Sequence, residues 1–161
     1  FVSAGNTGAL FTGATLIVRK IRGIQRAAIA SVLPMQPPVL LLDSGANVTV
    51  TEDYLEQFAI MGSIYMEHVV GIKNPRVAIV NIGAEEEKGN ALVKETFPLL
   101  KECTDINFVG SVEARDIPAG TVDVIVTHAA QLSGIGFVHR LTSAASGKKE
   151  QAAEYGCCNF Q

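Results

Sequence analysis

Residues 76–90 read Arg76-Val77-Ala78-Ile79-Val80-Asn81-Ile82 and then Gly83-Ala84-Glu85-Glu86-Glu87-Lys88-Gly89-Asn90. The first part, Arg76 to Ile82, is apolar on consecutive positions rather than alternate ones, the pattern of a strand covered on both faces. The acidic loop beyond it leads into a segment carrying Leu92, Val93, Phe97 and Leu100 at helical spacing, with Pro98 expected to kink that helix. A buried strand, a polar loop and an amphipathic helix form the repeating unit of a parallel sheet.

The same unit recurs on either side. Upstream, Val39 to Leu42 is an apolar strand ending in the turn Asp43-Ser44-Gly45-Ala46-Asn47, and Ala27 to Leu33 reads as a further buried strand, joined to it through Pro34, Pro37 and Pro38. Thr51 is the expected N-cap of a helix with Glu52 and Asp53 in its first turn. Leu55, Phe58, Ala59, Gly62, Tyr65 and Val69 lie on one face of that helix, and Gly71 and Pro75 stop it. Downstream, Ile106 to Val109 and Val122 to Val126 are short strand-like runs. At the start, Val2 to Gly8 reads as a strand end turning into a helix that continues through Leu10, Ala14, Ile17 and Val18 to a break at Arg19 to Gly23. The expected fold class is therefore α/β, a mostly parallel sheet with helices on both faces. After Val126 the alternation fades and no periodicity follows.

Composition bounds the function. A chain of 161 residues, 48% hydrophobic, can bury a core as one domain. The net charge of −3 argues against a nucleic-acid partner, because phosphate backbones require a basic face. No apolar run approaches the roughly 20 residues of a membrane-spanning helix. Cys103, Cys157 and Cys158 form neither a disulfide framework nor a metal-binding spacing, which suits a reducing cytosol. His68, His128 and His139 share no metal-like spacing and sit beside no Ser or Cys nucleophile, so core or surface roles are expected and no metal site. The opening at Phe1, without an initiator Met, is read as the interior of a longer protein.

Three loops carry the candidate chemistry. Ser3-Ala4-Gly5-Asn6-Thr7-Gly8-Ala9 puts glycines and small polar residues at a strand-to-helix turn, which either aims backbone N–H groups at an anion or simply turns tightly. Asp43 to Asn47 lies at the carboxyl end of a strand, where open α/β sheets hold ligands; the alternative is a turn capped by Asp43. Apolar strand followed by Asp-Ser-Gly-Ala also resembles the active-site loop of retroviral-type aspartic proteases, with Asp43 as the catalytic carboxylate, although that family is mostly β. In the third loop, Lys88 stands near the donors of a helix N-terminus, or is an exposed neighbour of a solvated acidic run; the loop lacks the Gly-Lys-Ser/Thr ending of a nucleotide-binding P-loop. Arg115, among Gly110, Glu113 and Asp116 past the fourth strand, could grip a phosphate or pair with Glu113 or Asp116. Arg19, Lys20, Arg22 and Arg26 form a basic cluster, either a solvated helix end or a surface for an acidic carrier or a lipid.

Taken together, Ser3 to Ala9, Asp43 to Asn47, Met61-Gly62-Ser63-Ile64-Tyr65, Asn74 to Asn90 and Phe108 to Asp116 stand in the order and spacing of the acyl-carrier-protein:phosphate acyltransferases, and residues 1–126 resemble part of such an enzyme. The resemblance implies a three-layer α/β/α fold similar to isocitrate and isopropylmalate dehydrogenases and to phosphate acetyltransferases, with no cofactor. It implies an activity in which inorganic phosphate attacks the thioester of a long-chain acyl carrier protein. The acyl phosphate formed feeds phospholipid synthesis through a membrane glycerol-3-phosphate acyltransferase. It further implies a homodimeric, cytoplasmic, peripherally membrane-associated parent. Lys88 becomes the catalytic candidate; Ser3, Gly5, Asn6, Thr7, Gly8, Asp43, Asn47, Asn81, Glu85, Asn90 and Arg115 become candidates for binding phosphate and acyl thioester. Two departures stand out: Ser111 where the family has Asn, and Thr127-His128-Ala129-Ala130-Gln131-Leu132-Ser133 where the family continues Asp-Gly-Phe-x-Gly-Asn. Residues 127–161 are accordingly read as a divergent tail, the product of a frameshift or misjoining.

Overall fold

A computed structural model describes residues 4–81 and 89–128 of the chain. Helix α1 (Thr7–Gly13) continues into a π-helical turn, Ala14–Val18. Strands β1 (Ala30–Leu33) and β2 (Val39–Leu42) precede α2 (Glu52–Tyr65), which ends in a π turn, Met66–Val70. Then follow β3 (Arg76–Val80), α3 (Ala91–Glu102), β4 (Asn107–Val112), a 3₁₀ turn at Ile117–Ala119 and β5 (Val124–Val126).

The five strands form one sheet in the order β1-β2-β5-β3-β4. β2, β5, β3 and β4 run parallel, with Leu42 and Ile79 both opposite Val126; β1 is antiparallel to β2. The α/β class with a mostly parallel sheet is thus the observed one. It is incompatible with the mostly β body that an aspartic protease needs. The strand read over Ala27 to Leu33 is shorter than expected and is not buried: Ala30 and Val32 are exposed because β1 is, among the described residues, the outer strand, with one neighbour instead of two.

The pleat divides the core in two. Leu40, Leu42, Val77, Ile79, Val124 and Val126 face α2 and α3, meeting Leu55, Phe58, Ala59, Met66, Val93, Phe97 and Leu100. On the other face, Val39, Leu41, Ala78, Val80 and Ile125 pack with Val112, Ala114, Ile117 and Val122. Each such side chain, fully removed from water, contributes about 1.5–3 kcal/mol of transfer free energy. Gly62 brings α2 close to the sheet: a Cβ there would stand 2.6 Å from Val124 Cγ1. Near the end of α2 the expected apolar face shifts. Tyr65 is partly exposed while Met66 is buried, and Val69, inside the wider π turn, is 66% exposed. Gly71, at φ 87°, then closes the helix in the left-handed conformation.

α3 runs unbroken through Pro98. Phe97 at its buried face meets Phe108 of β4 edge to face, with centroids 5.1 Å apart. At the amino end of the sheet, Arg76 donates from N and Nε to Asp123 Oδ2 (2.8 and 2.9 Å) and from Nη2 to Oδ1 (2.9 Å), locking β3 to the approach of β5. This hydrogen bonding holds the Asp123 carboxyl below its usual pKa against the opposing effect of burial. The α1 segment leaves Leu16, Ile17, Val18 and Ile21 at least 70% exposed.

Candidate functional site

Polar residues collect where β2, β5 and β3 end. Asp43, Thr127 and His128, and Asn81 are the next residues after Leu42, Val126 and Val80, and all four are buried, as is Asn47 in the first loop. The ladder persists one step past the strands: Thr127 N donates to Leu42 O (2.9 Å), Asp43 N to Thr127 O (3.1 Å), and Asn81 N to Val112 O (3.0 Å). β5 is the central strand, so His128 follows the strand that lies between β2 and β3. Open α/β sheets hold their ligands at such carboxyl ends.

Asp43 organises the first loop. Its Oδ1 accepts from Ile29 N (2.8 Å) and Ala46 N (3.1 Å), and its Oδ2 from Asn47 N (2.7 Å) and Asn47 Nδ2 (3.0 Å). Four donors fill the lone-pair positions of a carboxylate, so Asp43 acts on any ligand through the loop shape it fixes. Asn47 Nδ2 is also shared with Ala27 O (2.8 Å), and Ser44 Oγ reaches Ile29 O (3.1 Å), tying the loop back to the chain before β1.

Asn81 and the start of α3 lie close together. Gly89, at φ 125°, lies so close that a Cβ would stand 2.6 Å from Asn81 Oδ1. Asn90 caps α3, accepting from Val93 N at 2.9 Å. The structure therefore brings Asn81 to the N-terminus of a twelve-residue helix, where backbone donors and the helix dipole favour an anion.

The remaining candidates fare differently. Asn6 is the N-cap of α1, its side chain accepting from Ala9 N (3.1 Å), and Gly5, Thr7 and Gly8 are exposed beside it. Arg115 is engaged by its own neighbours: its guanidinium donates to Glu113 at 3.2 Å and lies 3.7 Å from Asp116. Ser3, Glu85 and Lys88 lie outside the described residues. Among the described residues no group of His, Cys, Asp and Glu could hold a metal ion.

Sequence reasoning passed over His128. It is 5% exposed, neither ring nitrogen has a hydrogen-bond partner among the described residues, and burial pushes its pKa down, partly offset by the charge of Asp43. The signal that marked Asp43 and Asn81, a polar residue just past a buried strand, marks Thr127 and His128 as well.

An open, mostly parallel sheet with buried polar groups at the carboxyl ends of its central strands places the chain in the α/β class. The chain belongs to the family described as fatty acid synthesis protein, whose model matches residues 1–146. It is 52% identical over 126 residues to a phosphate acyltransferase of Clostridium botulinum (strain Loch Maree / Type A3), covering 78% of this chain and 37% of that protein. To a phosphate acyltransferase of Bacillus licheniformis it is 56% identical over 128 residues, covering 78% and 38%. The chain thus spans well under half the length of these relatives. In structure it is similar to the EutD phosphotransacetylase from Staphylococcus aureus, with a TM-score of 0.57 and 17% identity over 81% of this chain and 46% of that one, a likeness of fold.

Proposed function

We propose that this chain is part of an acyl-carrier-protein:phosphate acyltransferase, which forms acyl phosphate from a long-chain acyl carrier protein and inorganic phosphate for phospholipid synthesis. The observation that carries this reading is the identity of more than half, over 126 residues, to proteins named phosphate acyltransferase. The chemistry asks little covalent help of the protein. A phosphate oxygen attacks the thioester carbonyl, a C–O bond forms, the C–S bond breaks, and the pantetheine sulfur leaves as thiolate. Holding phosphate against the carbonyl and stabilising the developing oxyanion are the tasks left.

In this reading Lys88 steers phosphate and offsets charge on the tetrahedral oxygen, with Ser3, Gly5, Asn6, Thr7, Gly8, Asn81, Glu85 and Asn90 around the substrates and Asp43 and Asn47 holding the first loop. Arg115 is a less apt phosphate ligand, since Glu113 already engages it. The parent is a cytoplasmic homodimer that associates peripherally with membrane and passes its product to a membrane glycerol-3-phosphate acyltransferase. Residues 127–161 form a tail divergent from the rest.

The test is release of free carrier-protein thiol when the chain is incubated with palmitoyl-acyl carrier protein, with and without phosphate. Phosphate-dependent release supports the proposal. Release from acetyl-CoA alone would replace it with a phosphate acetyltransferase, and binding of phosphate without release from either would leave a binding module.

A further inference from the structure

The basic cluster from Arg19 to Arg26 has no part in the proposed chemistry, and the structure sets it along a groove of about 300 Å³. Phe11, Ala14, Thr15 and Val18, at i, i+3, i+4 and i+7 along α1 and its π turn, present one face to this groove. Ile21, Ile24, Ala28 and Met61 of α2 line it from the other elements. The Thr15 hydroxyl is taken up by Phe11 O at 2.7 Å, so little but hydrocarbon is offered. The charged residues along the groove, Arg19, Lys20 and Arg26, are all cations.

The segment carrying these cations is held in place. Gln25 N donates to Gln57 Oε1 of α2 at 2.8 Å, one turn before Met61, Lys20 Nζ donates to Gln25 O, and the Arg26 guanidinium lies 5.7 Å from the centre of the Tyr54 ring. The groove also adjoins the candidate site: Ala27 in its lining accepts from Asn47 Nδ2 at 2.8 Å, and the same amide donates to Asp43.

Apolar walls with only positive charge beside them suit a hydrocarbon chain borne by an anionic group. A methylene fills roughly the volume of a water molecule, about 30 Å³, so the groove has room for about ten carbons of a single chain. We infer that this groove is the acyl-chain subsite and sets chain-length preference, with Arg19, Lys20 and Arg26 attracting the negatively charged arm that carries the acyl group. This inference rests on the proposed acyl transfer for its substrate; no bond is made or broken in it. Val18 and Ile21 are 79% and 80% exposed, so the groove is open along one side and a bound chain is only partly removed from water. Each methylene then tightens binding about twofold, half the full effect on a logarithmic scale.

The experiment titrates the whole chain with straight-chain fatty acids from six to fourteen carbons, below their micelle concentrations, and follows backbone amide resonances by NMR. Affinity is expected to rise about twofold per carbon up to about ten and then level off, with the shifts centred on residues 11–28 and Met61. Val18→Asp, which puts a carboxylate into the groove, and Ala14→Trp, which fills it, are both at exposed positions and should each weaken decanoate binding at least about tenfold. Shifts elsewhere, or unaltered affinity in both variants, would overturn the inference, and phosphate-dependent thiol release from palmitoyl-acyl carrier protein would then still uphold the proposed activity. Groove binding without any such release would overturn the activity and not the chain site. A dimer in sedimentation whose groove resonances ignore every fatty acid would mean that a second copy covers the groove, and the inference falls. Should either variant fail to fold, the wild-type resonances decide.

Discussion

Asp43→Asn exchanges one carboxylate oxygen for an NH₂ group without changing the size of the side chain. The retained oxygen keeps two of the four hydrogen bonds, and the amide nitrogen faces two N–H donors it cannot accept from, either Ile29 N and Ala46 N or the pair from Asn47. Hydrogen bonds to a charged acceptor contribute about 1.5–3 kcal/mol each, so losing two costs about 3–6 kcal/mol. That is a large part of the roughly 5–15 kcal/mol by which a domain is stable. Urea unfolding followed by far-ultraviolet circular dichroism reads it directly: with a slope of about 2 kcal/mol per molar urea, the midpoint should fall by about 1.5–3 M. A midpoint within about 0.3 M of wild type, the size of an ordinary surface change, would refute the view that Asp43 organises the loop.

Four further outcomes are expected. Gly62→Ala gains about 1 kcal/mol of helix propensity but must push against Val124, at a cost of about 1–3 kcal/mol; in a Val124→Ala background the same change should become stabilising, and simple additivity in the double-mutant cycle would contradict the close approach. Arg76→Ala should lower stability above about pH 4, and the gap from wild type should close as pH falls through the depressed pKa of Asp123, seen in thermal melts across pH 2–7. Because burial lowers the pKa of His128, the unfolded chain takes up its proton first as pH falls below about 6.5. Wild type should therefore lose stability on acidification through that range, and His128→Leu should lose less; parallel pH profiles would disprove the burial. Lys88→Ala should reduce phosphate-dependent thiol release by at least about a hundredfold, the scale of removing one oxyanion-stabilising donor, with an unchanged urea midpoint; equal activity would remove Lys88 from the mechanism.

The central strands were legible because residues covered on both faces leave an unmistakable apolar run: Val39 to Leu42, Arg76 to Val80 and Val124 to Val126 all lie near where the sequence puts them. Ala27 to Leu33 misled for the converse reason. An apolar run records that a strand exists but not how many neighbours it has, and β1 sits at the edge. The π turn at Met66–Val70 was invisible since nothing in Met-Glu-His-Val-Val distinguishes it from another α turn. For the site, strand ends pointed to Asp43 and Asn81, but they could not tell that the oxygens of Asp43 would be filled by Ile29, Ala46 and Asn47, because those donors come together only in the folded loop. His128 was discounted for want of a sequence neighbour, when its neighbours are across the sheet.

The position of β5 between β2 and β3 also governs when the chain can fold. β2 and β3 do not pair with each other; each finds its inner partner only in Val124 to Val126. During synthesis the two halves, β1-β2 and β3-β4, cannot join into one sheet until residue 126 has left the ribosome. Nascent chains ending before that point should bind holdase chaperones and resist no protease, whereas chains a few tens of residues longer should acquire protection of the whole sheet at once.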